Sequence, residues 1–159
     1  SEPVIAVLLE ALKQHWKTWT GDQEKVFWDL GCGDGRVVTA VCTAFADCRG
    51  VGVDLNAVLV EKAQARARRL GIQDRCNFRA CDLAETNLSD ASAVFLYLPK
   101  PGLQHVALKV LPRSNLPPGA GLFCAADPLP RNDKLFTPVQ CRTESVRLFC
   151  YIWQGQGKS

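Results

Sequence analysis

The chain has no methionine, only two histidines, and no C-x-x-C pair among its eight cysteines. Each absence removes a class of reading. Because position 1 is serine and methionine is missing throughout, the N terminus is expected to be processed or truncated, and a targeting peptide would not be visible. His15 and His105 stand far apart and no cysteines have ligand spacing, so no metal site is expected. The cysteines fall mostly inside apolar runs, where reduced cysteine behaves as a small hydrophobe. Reduced thiols in an intracellular protein are therefore expected, rather than a disulfide framework. No apolar run approaches the roughly 18 residues of a membrane-spanning helix, so the protein is expected to be soluble. A formal net charge of +3 is too small to argue for nucleic acid by itself. With no repeat, low-complexity segment or long linker, the 159 residues predict one domain over 1–159.

What the chain does contain is concentrated in Val26-Phe27-Trp28-Asp29-Leu30-Gly31-Cys32-Gly33-Asp34-Gly35-Arg36. A buried strand, an acid and three alternating glycines meet where strand must turn into helix. Glycine tolerates positive φ and has no Cβ, so backbone amides can approach a ligand at the carboxyl end of a parallel strand. Gly50-Val51-Gly52-Val53-Asp54-Leu55-Asn56 and Cys76-Asn77-Phe78-Arg79-Ala80-Cys81-Asp82-Leu83 repeat the pattern of an apolar run ending in an acid. Acid-tipped strands in series define a cleft for a nucleotide-like cofactor.

Periodicity orders the rest. Apolar residues from Val4 to Trp19 predict an amphipathic helix, followed by strands at 26–30, 50–55, 76–81, 93–98 and 121–126. Helices are expected over 37–46, over 57–70 with Asn56 as N-cap and Gly71 as stop, and over 102–111. In the second of these, Leu59, Ala63, Ala67 and Leu70 would form the buried stripe. Segments 137–143 and 146–153, joined by a turn at Glu144-Ser145, are too close for a parallel crossover and should pair antiparallel. The fold class is α/β: a Rossmann-like, doubly wound, mostly parallel seven-stranded sheet with a C-terminal antiparallel hairpin.

A dinucleotide fingerprint needs G-x-G-x-x-G, but here Arg36 stands where the third glycine would fall. The run Asp29-Leu-Gly-Cys-Gly-Asp-Gly35, with a second strand ending in Asp54, resembles the class I S-adenosylmethionine-dependent methyltransferases. That resemblance implies the cofactor S-adenosyl-L-methionine, with S-adenosyl-L-homocysteine as product, and a cofactor site of Asp29, Gly31, Cys32, Gly33, Gly35, Asp54, Leu55, Asp82 and Leu83. Asp29 and the amides of 31–35 would hold the methionyl end; alternatively Asp29 caps the glycine loop. Asp54 would accept from two ribose hydroxyls, against a helix-capping role. Leu55 would cover one adenine face, or be a core leucine. Asp82 and the Leu83 amide would meet the adenine edge, unless Asp82 only makes an Asx-turn. Asp34 and Arg36 pair with each other or with solvent, and Lys62, Arg66 and Arg69 read as a solvated helix face.

A narrower resemblance runs through Val51-Gly-Val-Asp-Leu-Asn56, Leu88-Ser89-Asp90-Ala91, Val94-Phe95-Leu96-Tyr97-Leu98, Leu116-Pro117-Pro118-Gly119-Ala120 and Asp127-Pro128-Leu129-Pro130. These segments look like the small protein-lysine methyltransferases related to those acting on the ADP/ATP carrier and the ATP-synthase c subunit. Asp54 stands where that group more usually has glutamate. The resemblance implies methyl transfer to a protein lysine, with Tyr97 as the catalytic candidate or, equally, a tyrosine packed at the sheet edge. A small-molecule or nucleic-acid acceptor and a catalytically silent cofactor-binding subunit are the alternatives. A protein partner and a cytoplasmic location are expected, with a mitochondrial one open.

Overall fold

A computed structural model describes residues 2–19, 23–140 and 146–155. Helix α1 (Glu2–Thr18) leads into strand β1 (Lys25–Leu30), helix α2 (Arg36–Ala44), strand β2 (Cys48–Asp54), helix α3 (Ala57–Arg69) and strand β3 (Cys76–Ala80). Strand β4 (Ala93–Leu96), helix α4 (Lys100–His105) and strand β5 (Gly121–Ala125) follow, and strands β6 (Phe136–Val139) and β7 (Leu148–Trp153) complete the sheet. The seven strands run in the order β3-β2-β1-β4-β5-β7-β6. Strands β1 to β5 pair in parallel, while β7 lies antiparallel to both β5 and β6. Of the expected hairpin, 141–143 and the turn at Glu144-Ser145 lie outside the described residues.

Central β1 is buried from Val26 to Leu30, as a parallel strand covered on both faces must be. Alternation sends Val26, Trp28 and Leu30 into one apolar layer and Phe27 into the other, beneath α1, α2 and α3. Strand order reverses at β1, flanked by β2 and β4, so the crevice outside the carboxyl ends of β1 and β4 is the topological switch point. At the opposite end, Ser92 ties α1 to the sheet. Its Oγ accepts from Trp16 Nε1 at 3.0 Å and from the Val26 amide at 3.0 Å, and its carbonyl lies 2.9 Å from His15 Nε2. Burial lowers the His15 pKa, so this histidine is a neutral packing residue.

Several expected boundaries shift for physical reasons. Strand β4 stops at Leu96 rather than Leu98, because Leu98 turns to cover Gly31: a Cβ on that glycine would lie 3.4 Å from Leu98 Cδ2. The helix expected over 102–111 starts at Lys100, then widens into a π-helical turn over Val106–Val110 and a 3-10 turn over Leu111–Arg113. The buried stripe of α3 is Val60, Ala63 and Ala67; Leu70 falls at the exposed C-cap, where Gly71 at φ 73° ends the helix. Cys32, Cys42, Cys48, Cys76, Cys81 and Cys124 are free, as expected. Cys150, however, is disulfide-bonded, which corrects the expectation of reduced cysteine throughout.

Candidate functional site

The glycine loop is shaped by its own hydrogen bonds. Gly31, Gly33 and Gly35 take φ of 98°, 54° and 82°, a region that side chains rarely enter. The amides of Gly31 and Cys32 both donate to the Val53 carbonyl, at 2.8 and 2.9 Å. The Gly33 amide donates to Asp54 Oδ2 at 2.9 Å, and the Gly35 amide to the Cys32 carbonyl at 3.1 Å. The Asp34 amide, by contrast, has no partner among the described residues. Packing makes Gly35 obligatory, since a Cβ there would lie 2.7 Å from Ala63 Cβ, and makes Gly52 the floor on which the Cys32 side chain rests. Cys32 sits near three carboxylates, but burial first and then that charge push its thiol up to about 12, so it packs rather than reacts.

Asp29 is the most telling side chain. It is only 3% exposed, shares the face of Phe27, and makes no hydrogen bond or ion pair with any described residue. Burial raises its pKa to about 7, and the nearby Asp54 charge adds to the rise. It does not cap the glycine loop; Asp54 takes that task. Asp54 Oδ1 accepts from the Asn56 amide at 2.9 Å while Oδ2 holds Gly33, leaving further lone pairs on both oxygens. Asn56 caps α3 by accepting from the Val58 and Leu59 amides, so helix capping falls to the neighbour.

Beyond Asp54, Leu55 is 76% exposed, which excludes a core role. Asp82 accepts from the Ala84 amide at 2.9 Å, the Asx-turn weighed as the alternative, and this turn leaves the Leu83 amide without a partner among the described residues. Leu83 itself packs partly into the core. Across the switch point, Tyr97 lies beyond the end of β4 and is 55% exposed, so it is not packed against the sheet edge. At the end of β5, Ala126 takes a left-handed φ of 74°, held by its amide's 2.9 Å bond to the Arg147 carbonyl. A left-handed non-glycine residue costs roughly 1–2 kcal/mol, and such strain gathers at ligand sites.

The structure thus gathers Asp29, the glycine loop, Asp54, Leu55, Asp82 and Leu83 at the carboxyl ends of β1, β2 and β3, with Tyr97 on the β4 side. Sequence reasoning missed Arg66, which leaves the solvated stripe to bond Asp34, and Ser92, whose signal is only tertiary. Asp34 pairs with Arg36 at 3.2 Å as well. Among the described residues no cluster could hold a metal ion, and no helix is long and apolar enough to cross a membrane. A separate groove of about 590 Å³ lies between α1 and the strands β5 to β7, lined by Ala11, His15, Phe123 and Ile152. It contains none of the expected cofactor residues; strand topology and the unpartnered carboxylate, rather than cavity volume, locate the candidate site.

Comparison with known proteins gives the same location a chemistry. The family model of the ANTKMT methyltransferase domain matches residues 29–130. A protein-lysine N-methyltransferase of Saccharolobus islandicus is 29% identical over 61% of this chain and 56% of its own length. An adenine nucleotide translocase lysine N-methyltransferase of Mus musculus is 32% identical over 81% of this chain and 54% of its own. The chain therefore spans about half the length of these curated relatives. Among solved structures, an RNA methyltransferase from Salinibacter ruber in complex with S-adenosyl-L-homocysteine matches with TM-score 0.70 and 27% identity, covering 94% of this chain and 93% of that one.

Proposed function

The chain belongs to the ANTKMT methyltransferase domain family, and from that premise we propose that it transfers methyl from S-adenosylmethionine to the side-chain amine of a protein lysine. The observation that carries the cofactor half is Asp29, a residue only 3% exposed at the switch point whose carboxylate has no partner among the described residues. An ammonium is the group that such an acid lacks, and charge-assisted hydrogen bonds are the strong ones. In this reading Asp29 holds the methionyl ammonium, and the loop of Gly31, Cys32, Gly33 and Gly35 encloses the methionyl end, with the Asp34 amide facing its carboxylate. Asp54 accepts from the ribose hydroxyls, Leu55 covers an adenine face, and Asp82 with the Leu83 amide reads the adenine edge.

When bound, the cofactor supplies a methyl on a sulfonium, an activated leaving group that needs no acid from the protein. The chain's own work is then orientation, which in favourable cases is worth ~7–11 kcal/mol. A lysine amine, with a free pKa near ~10.4, must reach the methyl as the neutral base, a form that desolvation favours. Tyr97 is the residue we assign to it: its hydroxyl orients the amine, and its ring meets the cationic head before the proton leaves for solvent. We read residues 1–159 as one methyltransferase domain. Six of the seven described cysteines are free, which supports a reducing intracellular compartment, while the disulfide at Cys150 stands against it.

A lysine acceptor is supported by relatives named for lysine methylation. The RNA methyltransferase likeness favours nucleic acid as the second reading. Incubation with S-adenosylmethionine labelled in the methyl group and a cell lysate, followed by separation of protein, nucleic acid and small molecules, tests both. Label in protein, recovered as methyl-lysine after hydrolysis, is the expected result. Label confined to nucleic acid would establish the second reading, and no incorporation despite cofactor binding would make the chain a silent subunit.

A further inference from the structure

Helix α3 touches the glycine loop at three levels. At its N terminus Asn56 donates its amide to Asp54, the acid that holds Gly33. Two turns on, Ala63 lies so close beneath Gly35 that no Cβ fits between them. One turn further, on the same face, Arg66 reaches across to Asp34: Nε donates to the Asp34 carbonyl at 3.2 Å and Nη2 to its carboxylate at 3.4 Å. Arg36 pairs with the same carboxylate from only two residues away, which ties the loop to nothing but itself. Arg66 spans 32 positions and grips main chain as well as side chain.

From these contacts we infer that Arg66 is a positioning residue for the cofactor loop, holding Asp34 so that its unused amide stays fixed for the ligand. This rests on the reading of the loop as the methionyl site. Residue 34 is the one loop position whose amide is not consumed within the described chain; its side chain is held within the loop by the Arg36 amide at 3.3 Å and guanidinium at 3.2 Å, and Arg66 adds the tie to a separate element. A planar guanidinium suits the task, because its fork of donors can serve a carbonyl and a carboxylate together. The Arg66 side chain is 28% exposed, against 64% for Arg36, so its pair with Asp34 is less screened by solvent.

The test is calorimetric titration of the intact chain with S-adenosylhomocysteine, with thermal melting of each variant in parallel. Arg66→Ala should weaken binding about five- to twentyfold, Arg66→Lys by clearly less, and Arg69→Ala, on the exposed side of the same helix, not at all. Asp34→Ala should weaken binding too, and adding Arg66→Ala to it should change little more, since both remove one clamp. If Arg66→Ala lowers the melting temperature yet binds within twofold of the native chain, Arg66 only supports the fold and the inference fails. Independent, multiplying losses from Asp34 and Arg66 would also overturn it. Failure of the native chain to bind S-adenosylhomocysteine would instead remove the methionyl reading on which the inference stands.

Discussion

The two halves of the rim are built differently. At the ends of β1, β2 and β3 the groups that await a ligand are held by bonds within the chain: Val53 takes two loop amides, Asp54 a third, and Arg66 the residue between the last two glycines. At the ends of β4 and β5 the candidate groups stand in the open, with Tyr97 half exposed and Ala126 in a left-handed turn. A shared cofactor rewards a preset frame, whereas an acceptor brings its own shape. The first half is therefore readable from backbone demands, and the second depends on what docks there.

The sharpest way to break this comparison is to spoil the preset frame at one atom. Gly35→Ala meets Ala63 at 2.7 Å in a backbone region unsuited to alanine; strain of about 1–2 kcal/mol plus overpacking of about 1–3 kcal/mol should cost ~2–5 kcal/mol of stability in a denaturant melt. Gly33→Ala, with open space around it, should cost only the ~1–2 kcal/mol backbone share. Equal losses at the two glycines would show that packing on α3 does not set the loop. Next in size, Asp54→Ala should weaken S-adenosylhomocysteine binding by about 1.5–3 kcal/mol, the range for hydrogen bonds to a charged group. An unchanged affinity would leave Asp54 with the loop alone.

The Asp29 carboxyl makes the frame sensitive to pH. Its pKa rises from the usual 3.8 to about 7 on folding, so the native state binds the extra proton between those values. Stability of the ligand-free chain should therefore fall as pH rises from about 4 to about 7. In the proposed role of Asp29, cofactor binding takes the ionised acid and should run the other way, strengthening by up to about tenfold per pH unit below 7 and levelling above it. Asp29→Asn should remove both slopes, raise the melting temperature above pH 7, and weaken binding; a variant that keeps the native pH profile would exclude Asp29 from the site. The smallest binding effect is expected on the open half. Tyr97→Phe should lower turnover on the true acceptor while changing cofactor affinity less than about threefold, because its contact is made only with the acceptor present. Equal losses in both would move Tyr97 into the cofactor pocket.

How far the sequence could be read follows the same division. Strand alternation and acid-tipped runs put Asp29, Asp54 and Asp82 at the carboxyl ends of β1, β2 and β3, where they stand, because that placement depends on neighbours in the chain. Asn56 was legible as a cap for the same reason. Arg66 was not, since nothing local distinguishes it from Lys62 or Arg69; only the approach of α3 to the loop does. The early end of β4 escaped because Leu98 responds to Gly31, a tertiary contact. Cys150 looked like any apolar-run cysteine, and nothing in its local sequence distinguishes it from the free ones. The shift of the buried stripe of α3 from Leu59 to Val60 is one residue of rotation, which periodicity alone resolves poorly.

Asp54 has a consequence for the kinetics of encounter. Its two oxygens already hold the loop on one side and the start of α3 on the other, so in the proposed ribose role the carboxylate would receive the ligand without a change of rotamer or backbone. On that reading, stopped-flow association of the cofactor should show an observed rate that climbs linearly with concentration, and a plateau would count against it. Any slow phase in the complete reaction belongs to the arrival of the acceptor, on the side of the rim where no such anchor exists.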